Sequence, residues 1–226
     1  MIFFLHGAVG HSSDWEIIID SFNSFQCESI DLYSYSSEEL DVTARNINSL
    51  AGPDDIIVGY SLGARIVLQA LLEENSPWSK AIIISAHTGI TDNETRIARI
   101  NHDLQWSELC NSNWAQFIAD WEKQSIFDFS KPIADRKQLM PLNDKISETF
   151  INWSSGIQPP LITNLDRIKT PTLWMTGELD KKYTKIAQHA CELLPLSQHR
   201  VIDNSGHRVP WDNPKDTADA INVFIS

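Results

Sequence analysis

The feature that most constrains the fold is the stretch 55–72, where an apolar strand passes through a serine turn into a helix. "DIIVGY" (55–60) is a largely apolar run, typical of a parallel strand that is covered on both faces. "ARIVLQALL" (64–72) has the pattern of a helix. Between them Ser61 lies in "GYSLG", with glycines two residues to either side. This unit predicts an α/β protein with a mainly parallel sheet.

The rest of the chain alternates between strand and helix patterns in the same way. Including the one above, we predict six strands, at 1–6, 27–32, 55–60, 80–86, 172–177 and 199–205. We predict helices at 13–23, 38–49, 62–75, 183–194 and 213–225. Six strands with intervening helices fit one doubly covered parallel sheet.

Residues 88–168 interrupt this alternation. They show no convincing strand, and they hold four of the eight tryptophans, namely Trp106, Trp114, Trp121 and Trp153. We predict a helical cap over 88–168, inserted after the strand at 80–86, on a core made of 1–87 and 169–226. Most of these tryptophans are expected to pack the cap onto the sheet, whereas Trp121 is expected to face a pocket.

Composition excludes several classes of function. The net charge of −12 argues against nucleic acid or an anionic membrane as a partner, because both attract basic patches. No apolar run is long enough to span a bilayer, and "IFFLHG" is too short for a signal peptide, so a cytoplasmic protein is expected. The three scattered cysteines predict neither disulfides nor a metal site, and no phosphate-binding motif implies a cofactor. Oligomeric state is not indicated.

The turn "GYSLG" matches the G-x-S-x-G pattern of a nucleophile elbow. A serine held on a sharp strand-to-helix turn projects its Oγ away from its neighbours, and the flanking glycines let other backbone pass close by. The N-terminus of the following helix favours a developing anion. We therefore predict that Ser61 is a catalytic hydroxyl.

A catalytic serine needs a base and an acid that orients the base. His207 lies in "DNSGHRVPWDNP", after the last predicted strand, where an imidazole at the sheet edge is expected. Asp180 follows the preceding strand in "TGELDKKY", with Glu178 and Asp203 as rivals for the acid. The order Ser61, Asp180, His207 is that of α/β-hydrolases.

The loop after the first strand, in "FLHGAVG", completes the predicted site. A glycine-flanked turn there can present a backbone N–H to a developing oxyanion. We predict that Ala8 N–H and Leu62 N–H form the oxyanion hole. His6 is expected to hold this loop rather than to act in catalysis.

Taken together, these stretches resemble the α/β-hydrolase fold superfamily over nearly the whole chain. Within it, the chain is similar to the 2-succinyl-6-hydroxy-2,4-cyclohexadiene-1-carboxylate synthase family of menaquinone biosynthesis. The matching stretches are "FLHGAVG", "GYSLGAR", "TRIARINHDLQW", "FIADWEKQSIF" and "TGELDKKY" followed by "SGH". The resemblance implies an α/β-hydrolase fold of about six strands, with the two N-terminal strands of the superfamily missing.

The resemblance also implies a lyase that releases pyruvate from a carboxylate-rich cyclohexene substrate, beginning with proton abstraction next to a carbonyl. It places Arg65 and Arg99 on the carboxylates and Tyr60 and Trp121 in the pocket. Arginine suits this task because it binds carboxylates bidentately and stays charged. From the residues alone, Arg65 remains open to a role as a helix-end charge. Arg99, three residues after Arg96, remains open to one on a solvated face.

Two other functions stay open at this point. A carboxylic-ester or thioester hydrolase would use the same triad through an acyl-enzyme, and a non-catalytic binding protein of this fold would use none of it. One departure from the family bears on the choice. The family has a further arginine later in the cap, where this chain has Asn143, with Arg136 upstream.

Overall fold

The computed structural model describes residues 1–133 and 136–226 and contains one six-stranded, fully parallel sheet. Its strands lie in the order β2-β1-β3-β4-β5-β6. Their bounds are β1 Ile2–Leu5, β2 Cys27–Ile30, β3 Ile56–Tyr60, β4 Lys80–Ile84, β5 Thr172–Gly177 and β6 Ser197–Ile202. The predicted fold class is confirmed.

The helices flank the sheet or lie in the insertion between β4 and β5. The α-helices are α1 Glu16–Ile19, α2 Leu40–Asn48, α3 Leu62–Leu72, α4 Asn93–Ser112, α5 Trp114–Trp121, α6 Asn143–Asn152, α7 Lys181–Leu193, α8 Val209–Asp212 and α9 Pro214–Ile225. Short 3₁₀ helices cover Ser12–Trp15, Leu32–Tyr35, Ser125–Phe127, Arg136–Leu142 and Leu161–Arg167. None of the α-helices in the described ranges has both the length and the apolarity to cross a bilayer.

The four central strands, β1, β3, β4 and β5, are buried on both faces, as their apolar sequences predict, whereas the edge strands β2 and β6 are partly exposed. Successive side chains of β1 point to opposite sides: Phe3 and Leu5 join one cluster with residues of α2, α3 and α7, while Ile2 and Phe4 join another with residues of α1, α8 and α9. The loops that carry Ser61 and Asp180 therefore start from strands that are packed tightly on two sides.

Two predicted elements differ from the structure. The helix expected over 13–23 is a 3₁₀ turn followed by the four residues of α1. After α1 the chain forms a tighter turn, in which Ser21 N–H donates to Ile18 O and Phe22 N–H donates to Ile19 O. This turn brings Phe22 into the core. The last strand spans Ser197–Ile202 rather than 199–205, because the chain turns away there and Asn204 takes a positive φ of 53°.

The insertion between β4 and β5 is helical, as predicted, and its described residues include no strand. Its apolar residues, among them Phe117, Trp121 and Phe150, pack with Val9 and Tyr33 of the core. Two ion pairs with buried arginines link this region to the core: Arg136 with Asp14, and Glu122 with Arg208. The assignment of 88–168 as a separate domain stays a prediction.

The start of α3 is packed directly against the ends of β1 and β3. A Cβ added to Gly59 would lie 2.7 Å from the backbone of Ala64, and one added to Gly63 would overlap the carbonyl oxygen of Leu5. No side chain fits between these backbone segments. The two glycines therefore set how close the helix approaches the sheet, and with it the position of Ser61.

We expect Gly63→Ala to destabilise the fold. Within a helix, alanine is normally more stable than glycine by about 1 kcal/mol. At position 63, however, its Cβ would overlap the backbone carbonyl oxygens of Leu5 and His6. We expect the cost of overpacking to exceed the gain in helix propensity, so that the free energy of unfolding, measured in urea, falls by about 1–3 kcal/mol. Gly52→Ala is the control, because the nearest atom to a Cβ added there is Asp55 Oδ2 at 3.5 Å, which is an ordinary contact distance. Equal stability of the two variants would contradict this account.

Candidate active site

The loops at the carboxyl ends of the strands surround one side of a pocket of about 710 Å³. The other side is formed by α4, α5 and α6 of the cap. In open parallel sheets ligands bind at this edge. The pocket contains Ser61, His207, Arg65, Arg99 and Trp121 in its lining.

Ser61 lies between β3 and α3 in a strained backbone conformation. Its φ is 51° and its ψ is −106°, a region that residues with a side chain rarely adopt. The turn is held because Ser61 N–H donates to Ile84 O at 2.8 Å and Ser61 O accepts from Arg65 N–H at 3.1 Å. Such strain costs on the order of 1–3 kcal/mol and persists only where the surroundings enforce it.

A chain of hydrogen bonds runs from the serine to an acid. Ser61 Oγ lies 3.2 Å from His207 Nε2, and His207 Nδ1 lies 2.8 Å from Asp180 Oδ2. The rival Glu178 instead accepts from the backbone N–H of Asn204, and the carboxylate of Asp203 makes no contact with His207 among the described residues. Of the three candidate acids, only Asp180 therefore forms a hydrogen bond with His207 in the described structure.

His207 is held in its neutral form. It is 1% exposed, and this burial lowers its pKa below the ordinary 6.5, an effect that the hydrogen bond it donates to Asp180 opposes in part. Because the Asp180 carboxylate can only accept, Nδ1 carries the proton and the Nε2 lone pair faces the hydroxyl of Ser61. The ring is thus oriented to take the serine proton.

The predicted oxyanion donors lie beside the serine. Ala8 and Leu62 both line the pocket next to Ser61. Leu62 is the first residue of α3, where an N–H has no partner within the helix. Neither N–H donates to any residue within the described ranges. Both N–H groups are therefore without a protein acceptor in the described structure, and their role as an oxyanion hole stays a prediction.

His6 is fully buried beneath this loop. Its Nδ1 donates to Gly7 O at 2.9 Å and its Nε2 accepts from Leu32 N–H at 3.2 Å. Burial lowers its pKa to about 4, so the ring is neutral and both nitrogens are used. This arrangement fits the structural role expected from the sequence.

Arg65 is a buried cation without a carboxylate partner among the described residues. Its Nε donates to Gln158 Oε1 at 2.7 Å and an Nη to Trp153 O at 2.8 Å, and both acceptors are neutral. Burial first, and then the charge of Arg99, lowers its pKa to about 10, so it stays charged at neutral pH. A buried charge of this kind is costly unless an anion neutralises it.

Arg99 projects from α4 into the same pocket but already has a partner. It forms a bidentate ion pair with Asp103, one turn later, through contacts of 2.9 and 2.7 Å. Its side chain is 39% exposed, so guanidinium donors remain for a ligand. Arg96, in contrast, donates to the carbonyls of Gly156 and Ile157 and does not line the pocket.

The predicted aromatic residues also reach the pocket. Tyr60 packs with its ring centre 5.6 Å from that of His207, and Trp121 contacts Phe127 and Phe150. Trp153, which the sequence indicated only as packing, lines the pocket as well. Burial raises the pKa of Tyr60, so its hydroxyl stays protonated.

Neither Arg136 nor Asn143 lines this pocket. Arg136 is 4% exposed and binds Asp14 through both carboxylate oxygens, at 2.6 and 2.8 Å. Asn143 begins α6. Neither position therefore brings a further arginine into this pocket.

Comparison with known proteins identifies the family of the chain. The sequence matches the model of the alpha/beta hydrolase family over residues 2–220. The chain belongs to the alpha/beta hydrolase family. Among relatives in the family, it is 25% identical to 2-succinyl-6-hydroxy-2,4-cyclohexadiene-1-carboxylate synthase of Pectobacterium atrosepticum, covering 98% of this chain and 92% of that protein. The synthase of Klebsiella pneumoniae is 27% identical over 93% of this chain and 88% of its own.

Solved structures of the alpha/beta hydrolase fold superpose over almost the entire chain. MenH from S. aureus gives a TM-score of 0.89 at 23% identity, covering 99% of this chain and 92% of that one. A thermophilic esterase from Thermogutta terrifontis, with malate bound, gives a TM-score of 0.76 at 15% identity, covering 99% of this chain and 88% of that one. At these identities the likeness shows the fold.

Sequence reasoning missed several residues of this alpha/beta hydrolase pocket. His87, Lys182 and Tyr183 all line it, and the ring centre of Tyr183 is 4.4 Å from that of His207. One signal could have found them, because His87 follows β4 and the other two follow Asp180 after β5. Residues just beyond the carboxyl ends of strands are brought together in this fold.

We expect Ser61 to react with a fluorophosphonate at a rate that depends on neutral His207. Because burial lowers the pKa of His207 below 6.5, the rate should reach half its plateau at a pH below 6.5 and stay level above pH 7. Inactivation rates across pH 4–9 measure this. Asp180→Asn should slow labelling by on the order of 10³-fold or more, and Ser61→Ala should abolish it. A midpoint above pH 6.5 would refute the assignment.

Proposed function

We propose that this chain is a lyase of the 2-succinyl-6-hydroxy-2,4-cyclohexadiene-1-carboxylate synthase type, with Ser61, His207 and Asp180 as its catalytic triad. The observation that carries the proposal is Arg65, a buried charge one turn from Ser61 that only neutral protein groups contact in the described structure. A carboxylate of the substrate would supply the missing counter-ion. The similarity over nearly the whole chain to relatives known as 2-succinyl-6-hydroxy-2,4-cyclohexadiene-1-carboxylate synthases supports the same activity.

The proposed substrate is 2-succinyl-5-enolpyruvyl-6-hydroxy-3-cyclohexene-1-carboxylate, a molecule with three carboxylates. Its charge explains why a chain with a net charge of −12 has cations in its pocket. Arg65 and the free donors of Arg99 would bind carboxylates, and Tyr60 and Trp121 would contact the ring. Arginines that orient the substrate lower the entropic cost of reaching the transition state.

In the proposed reaction, Ser61 Oγ takes the proton from the ring carbon next to the succinyl carbonyl while His207 Nε2 takes the hydroxyl proton. Ala8 N–H and Leu62 N–H would stabilise the enolate oxygen. When the enolate collapses, its electron pair shifts the ring double bond and breaks the carbon–oxygen bond to the enolpyruvyl group. The departing enolpyruvate would take the proton from His207 Nε2 onto its methylene carbon and become pyruvate, which leaves the cyclohexadiene and restores the neutral histidine. No water enters, and Ser61 forms no covalent bond.

A carboxylic-ester or thioester hydrolase is the alternative. The triad and the two free backbone N–H groups would equally stabilise a tetrahedral intermediate formed when Ser61 attacks an ester carbonyl. In that reaction Ser61 is acylated and water releases the acid. Arg65 has no evident task with a neutral ester.

A paired assay on the purified chain separates the two functions. Pyruvate release from the cyclohexene substrate and hydrolysis of short-chain p-nitrophenyl esters are measured side by side. We expect fast pyruvate release and weak ester hydrolysis. Strong ester hydrolysis without pyruvate release would reject the lyase and support the hydrolase.

We expect Arg65→Ala to reduce kcat/KM for pyruvate release by about 30-fold or more, because it removes a charge-assisted contact worth about 2 kcal/mol. Residual hydrolysis of a small neutral ester should change little, which shows that the triad is intact. Arg65→Lys should recover only part of the loss, since lysine cannot bind bidentately. Arg45→Ala is the control, because Arg45 pairs with Asp41 at the surface. Equal losses in both reactions would argue for a structural role.

A further inference from the structure

His87 and Lys182 lie on the core side of the pocket, opposite the cap, and the proposed mechanism does not use either. His87 follows β4 and Lys182 is the second residue of α7. Tyr183 lies beside both: its ring centre is 6.3 Å from that of His87 and 5.6 Å from Lys182 Nζ. The three residues therefore form one continuous stretch of the pocket wall.

His87 presents a hydrogen-bond donor to the pocket. Its Nδ1 accepts from Gly89 N–H at 2.9 Å, so in the neutral ring the proton is on Nε2. The ring is neutral because burial, followed by the charges of Lys182, Arg65 and Arg99, lowers its pKa to about 4. Among the described residues nothing accepts from Nε2–H, and this nitrogen is not enclosed by protein.

Lys182 supplies a positive charge to the same part of the pocket lining. Within residues 1–133 and 136–226 its ammonium forms no ion pair, and its charge lowers the pKa of both His87 and His207. The two acids of the pocket lining are already occupied: Asp103 by Arg99, and Asp92 by the N–H and hydroxyl of Thr95. Lys182 is thus the third cationic side chain of the described lining, after Arg65 and Arg99.

We infer that the Nε2–H of His87 and the ammonium of Lys182 form a second carboxylate subsite, built by the core and separate from Arg65. A neutral N–H donor beside a cation fits the two oxygens of one carboxylate, each accepting one bond. The inference rests on the proposed function for its physiological ligand, a substrate with three carboxylates. It also accounts for the pocket's lack of a further cap arginine, because the third cation comes from α7.

The test uses binding of propane-1,2,3-tricarboxylate to the full chain, followed by the change in intrinsic tryptophan fluorescence, to which Trp121 and Trp153 of the pocket lining contribute, together with KM for pyruvate release. Lys182→Gln should weaken tricarboxylate binding about tenfold, as for one charge-assisted hydrogen bond. Lys181→Gln removes the same charge from the neighbouring position outside the pocket lining, and it should change binding less than twofold. Lys182→Arg should keep most of the affinity.

Two variants isolate the histidine. His87→Asn places an amide oxygen near Nδ1, which keeps an acceptor for Gly89 N–H but removes the pocket donor, and it should weaken binding several-fold. His87→Gln places its amide group near Nε2 and should bind more tightly than His87→Asn. Because Lys182 is exposed, the difference between wild type and Lys182→Gln should shrink at 0.5 M salt.

The outcomes distinguish this subsite from the proposed function. Equal effects of Lys182→Gln and Lys181→Gln, or no tricarboxylate binding by the wild type, overturn the subsite. Pyruvate release with an unchanged KM in Lys182→Gln also overturns it and leaves the lyase standing. The expected binding pattern without pyruvate release supports the subsite for a different polycarboxylate and rejects the proposed lyase.

Discussion

The site depends on the direct backbone contact between the start of α3 and the ends of β1 and β3. Gly59 and Gly63 allow this contact because no side chain fits between the segments. It holds Ser61 at a positive φ and leaves the first N–H of α3 without a partner, beside the loop that presents Ala8. The strained serine and its two neighbouring donors are thus consequences of one packing constraint rather than separate devices.

The charged side chains of the pocket lining contrast in sign with the net charge of the chain. The chain carries −12 overall, yet the described pocket lining holds three arginine and lysine side chains, and its two acids are engaged by other groups. Burial without an acidic partner makes Arg65 costly to the folded state and available to a ligand. Sites that trade stability for binding commonly show this pattern.

Much of the fold and of the candidate site could be predicted from the sequence because the relevant signals are local. The four central strands are short apolar runs, and Ser61, Asp180 and His207 each follow a predicted strand, so parallel topology brings them together. Asp180 was predicted as the acid, but Glu178 and Asp203 remained rivals because their places in the sequence do not say which carboxylate faces His207. In the structure a single hydrogen bond, 2.8 Å between His207 Nδ1 and Asp180 Oδ2, shows that Asp180 is the carboxylate facing the histidine.

The rest could not be predicted because it depends on contacts between distant parts of the chain. The short α1 ends where Phe22 enters the core, a matter of packing rather than propensity. The burial of Arg136 could not be predicted, because its partner Asp14 is 122 residues away in sequence and no pattern links them. Lys182 was overlooked although it follows β5, because position alone does not distinguish it from Lys181, which does not line the pocket.

The pair between Arg136 and Asp14 has a consequence for how this protein can diverge. Both side chains are nearly inaccessible to solvent, so replacing either one alone would leave an uncompensated buried charge, at a cost of about 3–5 kcal/mol. Drift through single substitutions is therefore blocked at both positions. In descendants of this chain the two residues should be inherited or lost together, which makes the join between the helical insertion and the first loop of the core an evolutionary unit.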